Sequence, residues 1–156
     1  MRAAAERVQQ ILGELGLVAE VTEFAEPTRT AAEAALRVGC TPAQIAKSLI
    51  FRAQPSNRPI LVIASGAHRV SESAVESALG EKIARADPEF VRATTGFAIG
   101  GVPPVGHRVP PVTFIDEALL KFDAIWVAAG TPFAVVRLTP DELLRLTGGQ
   151  VARLAS

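Results

Sequence analysis

Two short apolar runs separated by a polar turn constrain the fold of this chain more than any other feature. Residues 47–51 (KSLIF) and 60–64 (ILVIA) are rich in branched side chains, and the turn segment QPSNRP lies between them. Apolar runs of this length bounded by turn residues are typical of buried strands. We therefore expect the two runs to pair as an antiparallel hairpin.

Capping signals divide the rest of the chain into short elements of both types. Thr30 with Glu33 and Thr139 with Glu142 form capping boxes, in which hydroxyl and carboxylate satisfy free N–H groups at a helix start. The patterns predict helices at 8–15, 31–38, 42–44, 71–79, 88–96 and after 139, and strands at 18–24, 47–51, 60–64, 97–99, 112–115, 125–128 and 133–138. The predicted fold class is α/β of the α+β kind. It is one domain over residues 1–156, with a mixed, largely antiparallel or barrel-like sheet surrounded by short helices.

Charge and cysteine content exclude several function classes. The chain has 16 basic and 16 acidic residues, and its most basic segment, 47–108, reaches only +3 (8 basic, 5 acidic). This balance lacks the basic footprint of a protein that grips long nucleic acid, so we expect no DNA partner and only local contact with any RNA. A single cysteine, Cys40, excludes an internal disulfide. A reducing, cytoplasmic location fits best, with no membrane-spanning segment.

The segment 94–107 (TTGFAIGGVPPVGH) is a candidate binding loop. It contains four glycines and two prolines between strongly apolar sequences. Glycine lets main-chain N–H groups approach a ligand closely, and Pro103 with Pro104 stiffens the exit. The nucleotide-phosphate motifs based on Gly-Lys-Ser/Thr or on a strand-to-helix G-x-G-x-x-G do not match. A costly structural turn remains an equally good interpretation of the loop alone.

Lys47 stands where a helical turn ends and the apolar strand begins. The chain has only three lysines against 13 arginines, so a lysine at this place indicates a need for a compact ammonium group. The alternative is a lysine whose stem covers apolar surface while its charge stays in water, and local sequence favours that alternative.

The order of several motifs resembles the YbaK/ProX family of free-standing aminoacyl-tRNA deacylases. The matching segments are PTRTAAEAALRVG, QIAKSLIF, ADPEFVRATTGFAIGGVPPVG and FIDEALLKFDAIWVAAG, which together run from about residue 17 to near the C-terminus. Related domains are inserted in bacterial prolyl-tRNA synthetases. The pattern G-G-x-x-P-x-G at 100–106, combined with an upstream K-S-L, carries most of the resemblance.

The resemblance implies hydrolysis of the ester that joins a wrong amino acid to the terminal adenosine of a proline-type tRNA. It assigns the functional core to Lys47 and Gly100, and substrate contacts to Gly101, Thr28, Ser65 and Gly130. The Lys47 ammonium would anchor the terminal nucleotide or the ester carbonyl, and N–H groups around Gly100 and Gly101 would orient the ester. No cofactor or metal is implied. The implied partners are the acceptor end of a misacylated tRNA and, as a candidate, prolyl-tRNA synthetase.

One departure from the family concerns the amino-acid pocket. In the branch that removes cysteine, a serine and an aspartate lie at positions that here correspond to Ala128 and Val135. The resemblance therefore implies a more apolar pocket and a small side chain such as alanine, because a pocket without polar partners selects a polar group weakly. Thr28, Thr30 and Ser65 are polar residues that also have pocket-facing interpretations, although Thr30 is better explained as a helix N-cap.

Other residues receive structural interpretations. His107 follows the glycine-rich loop and is interpreted as a solvated residue, with proton transfer as the alternative. Trp126 is interpreted as core, with base stacking as the alternative. Arg52, Arg58 and Arg69 are candidates for a small basic rim. At the level of function, the competitors are a non-catalytic module that binds a free amino acid or a charged tRNA end, and an adaptor for the synthetase.

Overall fold

The two apolar runs form the central hairpin of the sheet. In the computed structural model, which describes residues 1–156, strand β2 (Ile45–Gln54) pairs antiparallel with strand β3 (Pro59–Ser65). The polar turn between them contains Asn57 with a positive φ of 65°. Every residue of β3 is buried, so the sheet is covered on both faces at this strand. The predicted hairpin is confirmed.

The remaining elements are short, as the capping signals require. The helices are α1 (Ala3–Glu14), α2 (Ala31–Val38), α3 (Glu72–Leu79), α4 (Pro88–Thr95) and α5 (Pro140–Thr147), with 3₁₀ turns at Pro42–Gln44 and Glu117–Lys121. The other strands are β1 (Val21–Glu23), β4 (Lys82–Arg85), β5 (Val112–Asp116), β6 (Ile125–Ala128), β7 (Ala134–Leu138) and β8 (Gln150–Ala152).

All eight strands belong to one mixed sheet. The pairing path is β1-β7-β6-β2-β3-β5-β8, and β4 adds to β2 beside this path. Four pairs are antiparallel, and β2–β6, β3–β5 and β5–β8 are parallel. The predicted mixed α/β architecture is confirmed. The barrel-like alternative is not adopted, since no pairing links β1 to β8.

One edge of β2 is unpaired over residues 47–50, and we call this opening the β2 gap. Strand β6 registers only with Ile45 and Ala46, and β4 registers only with residues 51–54. The Ile45 carbonyl faces the β3 edge of β2, where it accepts from Gly66 N–H. The Ile50 carbonyl faces the other edge, which contains the gap, and accepts there from Ala86 N–H. Main-chain groups alternate along a strand, so the N–H and C=O of Ser48 face the β2 gap.

The two largest apolar clusters pack on opposite faces of the sheet. In the larger one, Ala5, Val8 and Leu12 of α1 are fully buried. The smaller one contains Phe51, Val75 and Phe114 on the other face. Helix α1 therefore lies over the face that carries the glycine-rich loop, whose Phe97 and Val102 belong to the larger cluster.

The helix caps at Thr30 and Thr139 are confirmed, but the Thr30–Glu33 box is not reciprocal, because the Glu33 carboxylate accepts from Arg29 N–H and not from Thr30 N–H. The Thr30 hydroxyl accepts from Glu33 N–H at 3.1 Å, and the Thr139–Glu142 box is complete. Asp87 caps α4, and Asp116 caps the 3₁₀ turn that follows β5. Each of these contacts is local in sequence, which is why it could be predicted. None of the helices is long and apolar enough to cross a membrane.

One predicted strand is absent, and two observed strands were not predicted. Residues 97–99 are not a strand, because Gly96 is left-handed with φ 83° and the Phe97 N–H bonds to the Thr95 hydroxyl instead of a neighbouring strand. Strands β4 and β8 were not predicted. Both are short, and Ile83 is the only buried residue of β4, so neither has a recognisable alternation.

Candidate functional site

Lys47 and Gly100 line the same pocket. The pocket lies at the β2 gap and has a volume of about 280 Å³. Its walls come from the start of α2, from β2, from the glycine-rich loop and from β6 and β7 with the turn between them. The lining includes Thr28, Lys47, Ser48, Gly100, Val102, Trp126, Ala128 and Val135. The fold therefore brings together the two residues that sequence reasoning placed at the centre of the function.

The Lys47 side chain is half-buried and oriented by one hydrogen bond. Its ammonium donates to the main-chain carbonyl of His68 at 3.1 Å. Burial lowers the pKa of Lys47, the nearby Arg69 and Arg85 lower it further, and Asp116 opposes them. Since only one protein oxygen accepts from the ammonium, two of its three donors remain for a ligand.

Gly100 contributes main chain to the pocket. Its φ is 89°, in the left-handed region where glycine is favoured. The N–H of Gly100 donates no hydrogen bond within the protein, and neither does that of Val102, which lines the same wall. These amides can serve as donors to an oxyanion or a carbonyl oxygen.

Gly101 and Gly130 lie behind the pocket wall. The sequence predicted that the Gly101 N–H would contact the substrate. In the structure this N–H donates to Ala98 C=O at 3.0 Å and is not free for a ligand. The Gly130 N–H donates to Gly101 C=O at 2.8 Å. A Cβ on Gly101 would lie 2.6 Å from Thr131 Cα, and one on Gly130 would lie 2.6 Å from the Ala4 carbonyl oxygen. The structure places both glycines where two main chains touch.

The three polar candidates are divided between the pocket and the interior. Thr28 lines the pocket, and its N–H donates to Pro132 C=O at 2.9 Å. Thr30 also lines it, with its hydroxyl committed to the α2 cap. Ser65 does not line it, because its buried hydroxyl donates to Ala43 C=O at 2.8 Å and its N–H to Asp116.

The wall near β6 and β7 is apolar. Ala128 and Val135, the two apolar positions singled out in the sequence, both line the pocket. Their side chains can offer only van der Waals contact to a ligand. This part of the site fits a small apolar group.

Sequence reasoning missed Ser48 and the placement of Trp126. The Ser48 hydroxyl is buried in the pocket wall without a hydrogen-bond partner. Trp126 is half-buried, and it shares the alternation of Ala128 along β6, so it faces the pocket. The alternation along β6 could be read from the sequence. The position of Ser48 beside the β2 gap could not, because the gap depends on how β4 and β6 pair with β2.

His107 and two of the arginines lie elsewhere. His107 is half-buried and not solvated, its Nε2 lies 2.6 Å from Pro103 O, and burial lowers its pKa. Arg52 stacks over the Phe90 ring at 4.6 Å, and Arg58 pairs with Glu81. Arg69 alone of the predicted basic rim is exposed next to Lys47.

The arrangement combines a cation, free amides and an apolar recess in one small space. The cation and amides can stabilise negative charge that develops on an acyl oxygen, and the recess can hold a small side chain. Arg29 and Lys47 are the only ionisable residues of the lining. Catalysis at such a site would depend on positioning and electrostatics.

Comparison with known proteins identifies related molecules. Residues 25–146 match the family model described as "Aminoacyl-tRNA editing domain". The chain is 33% identical to YwhH of Bacillus subtilis, an uncharacterised protein, over 85% of this chain and 83% of YwhH. It is 28% identical to EbsC of Enterococcus faecalis, named "Putative Cys-tRNA(Pro)/Cys-tRNA(Cys) deacylase", over 86% and 83% of the two chains.

A solved structure matches the whole fold. It is described as "a putative trans-editing enzyme for prolyl tRNA synthetase" and shares 44% sequence identity with this chain. The superposition has a TM-score of 0.95 and covers 100% of this chain and 99% of that one. The resemblance to the YbaK/ProX family seen in the sequence is confirmed.

Proposed function

The chain belongs to the aminoacyl-tRNA editing domain family, and from that premise we propose that it hydrolyses the ester of a misacylated tRNA in trans. The observation that carries the proposal is the convergence of Lys47 and Gly100 on one pocket. The EbsC name and the trans-editing structure support this assignment. We expect the tRNA to be of the proline type.

The proposed reaction uses the site as a binding and orienting frame. The Lys47 ammonium holds the terminal nucleotide or the ester carbonyl, and the free Gly100 N–H orients the ester. Water adds to the acyl carbon, the ribose oxygen leaves and takes up a proton, and free amino acid and tRNA result. An aminoacyl ester is already reactive, so positioning and oxyanion stabilisation can supply most of the rate enhancement.

The proposed amino acid is small and apolar. Ala128 and Val135 give the recess no charged or hydrogen-bonding side chain, in contrast to the cysteine-removing branch. A volume of about 280 Å³ must also admit part of the terminal ribose. Alanine fits these limits better than a large or charged residue.

Replacement of Lys47 tests the proposal. We expect Lys47→Ala to lower kcat/KM for Ala-tRNA(Pro) by about 100-fold or more, the size of effect seen when one oxyanion donor is removed. Lys47→Arg should not restore the rate, because the planar guanidinium cannot replace a compact ammonium in a half-buried position. The measurement is release of labelled amino acid from a panel of misacylated tRNAs.

Two controls separate the alternatives. Lys121→Ala removes a lysine that lies outside the pocket and should leave the rate unchanged. If the wild type binds the charged tRNA without turnover, the molecule is a binding module and not a hydrolase. An undiminished rate for Lys47→Ala would remove Lys47 from the mechanism.

A further inference from the structure

A buried carboxylate lies behind the residue that orients Lys47. Asp116, at the end of β5, is only 1% exposed. Its Oδ2 accepts from Ser65 N–H at 3.0 Å, and its Oδ1 accepts from Ala118 N–H at 3.0 Å. A buried charge without partners is costly, so these bonds hold the carboxylate in one orientation. Only the second of these bonds is local in sequence, since it caps the 3₁₀ turn that follows β5.

The same carboxylate contacts the His68 ring. The Nε2 of His68 lies 2.9 Å from Asp116 Oδ2, although the ring N–H direction does not meet hydrogen-bond geometry. The contact is therefore electrostatic and becomes an ion pair when the imidazole is protonated. His68 had no role in the sequence interpretation, since its partner is distant along the chain.

The loop that carries His68 is closely packed against the pocket. Gly66 N–H donates to Ile45 C=O at 2.7 Å, and a Cβ on Gly66 would lie 2.5 Å from both Ala31 Cβ and Pro42 O. The main chain of this loop has little room to move towards α2. On either side of His68, Ala67 N–H donates to the Ser65 hydroxyl at 3.3 Å and Ser156 N–H donates to Arg69 C=O at 3.0 Å. Within that frame, the contact of the imidazole with the Asp116 carboxylate is the side-chain link at His68 itself.

We propose that Asp116 and His68 are positioning residues for Lys47. The carboxylate fixes the imidazole, the fixed loop presents the His68 carbonyl, and that carbonyl holds the Lys47 ammonium at 3.1 Å. This inference rests on the proposed function, because it assigns the pair a place in the same reaction. Neither side chain lines the pocket, so both act through Lys47.

Substitution of Asp116 or His68 tests this chain of contacts from Asp116 through His68 to Lys47, which we call the relay, by its effect on hydrolysis. We expect Asp116→Asn and His68→Ala each to lower kcat/KM at least 10-fold with an unchanged circular dichroism spectrum. His68→Gln should recover most of the loss, because its amide nitrogen can occupy the place of Nε2. Asp123→Asn, which removes an exposed carboxylate, is the matched control and should have no effect. Equal rates for the Asp116 and Asp123 variants would overturn the proposal.

Titration of Lys47 gives a readout that a purely structural role would not change. The chain has three lysines, so ¹³Cε-labelled lysine yields three resolvable signals, and Lys47→Arg assigns the one of interest. The charged groups around Lys47 are Arg69, Arg85 and Asp116, with His68 adjacent. Because Asp116 raises the pKa of Lys47, Asp116→Asn should move its midpoint to lower pH.

The titration also separates this inference from the proposed function. If the Lys47 midpoint and chemical shift are the same in wild type, Asp116→Asn and His68→Ala, the relay does not exist, whatever the enzyme hydrolyses. If the Lys47 signal moves in His68→Ala, which leaves the Asp116 charge in place, but wild type releases no amino acid, the positioning role stands and hydrolysis fails. Should Asp116→Asn not fold, the His68→Ala and His68→Gln pair decides the question alone.

Discussion

Gly100 and Gly101 are adjacent, yet they are glycine for different physical reasons. Gly100 has a left-handed φ of 89°, and a Cβ there would meet Pro132 only at an ordinary contact distance of 3.5 Å. Gly101 has no positive φ, but its Cβ would lie 2.6 to 2.8 Å from main-chain atoms of Thr131 and Gly130. The first glycine sets a conformation, and the second permits contact between two backbones.

Alanine should therefore destabilise the protein at both positions, but by different amounts and for different reasons. Gly100→Ala should cost about 1–2 kcal/mol of unfolding free energy, the price of a left-handed residue, and should reduce hydrolysis more than 10-fold by turning the free N–H. Gly101→Ala should cost about 3 kcal/mol, since backbone cannot move aside as a side chain can. Urea unfolding with matched m-values and hydrolysis under native conditions measure the two effects. Equal loss of stability in both variants would contradict this account.

Helix α1 supports the pocket from a distance. It lies outside the lining, but a Cβ on Gly106 would lie 2.6 Å from Ile11 Cδ1, and one on Gly130 would meet Ala4. The guanidinium of Arg7 stacks over the Phe97 ring at 4.3 Å. The helix thus contacts the glycine-rich loop and the β6–β7 turn together.

Weaker packing of α1 on the sheet should increase the mobility of the glycine-rich loop and of the β6–β7 turn. Leu12→Ala removes a fully buried side chain and should cost about 2–5 kcal/mol. Amide hydrogen exchange in residues 97–106 and 129–133 should accelerate more than exchange in β3. Leu36→Ala is the matched control, because Leu36 is on α2 and 85% exposed. Uniform acceleration across the sheet would show global unfolding without selective release of the loops.

The elements that sequence reasoning found are those whose signals are local. The Thr30 and Thr139 caps depend on residues three positions apart, and the two strands of the apolar hairpin are joined by a short polar turn. Strands β4 and β8 depend on partners far along the chain, and so does the β2 gap that the main-chain groups of Ser48 face. The family resemblance supplied the pairing of Lys47 with Gly100, which spacing alone could not. The commitment of the Gly101 N–H to Ala98 depends on the loop conformation and was not predictable.

Across the whole molecule, charge is balanced but its placement is uneven. The formal net charge is zero, yet Arg29, Lys47, Arg69 and Arg85 lie at or near one pocket. The Arg85 side chain is 79% exposed, and its Nε lies 3.9 Å from Glu72 Oε2, which is a long and weak ion pair. A protein with zero net charge should bind tRNA weakly. Most of the electrostatic attraction should come from these four cations at the pocket.

The salt dependence of kcat/KM should report those contacts. Each phosphate of a single strand that is neutralised contributes a slope of about −0.7 in a plot of log affinity against log salt concentration. Arg85→Ala should make the slope shallower by about that amount. Arg58→Ala, which removes an arginine paired with Glu81, should not change it. Identical slopes for the two variants would place the phosphates elsewhere.

The β2 gap has a consequence for how selectivity can diverge among related chains. One wall of the pocket is formed by main-chain groups of β2. Substitution alters a side chain, but it leaves the main-chain carbonyl in place and, for every residue except proline, the main-chain N–H as well. Recognition made by that wall is inherited with the fold. Divergence towards a different amino acid must then fall on the facing wall, where single substitutions at Ala128 or Val135 add or remove polarity without disturbing strand pairing on β2.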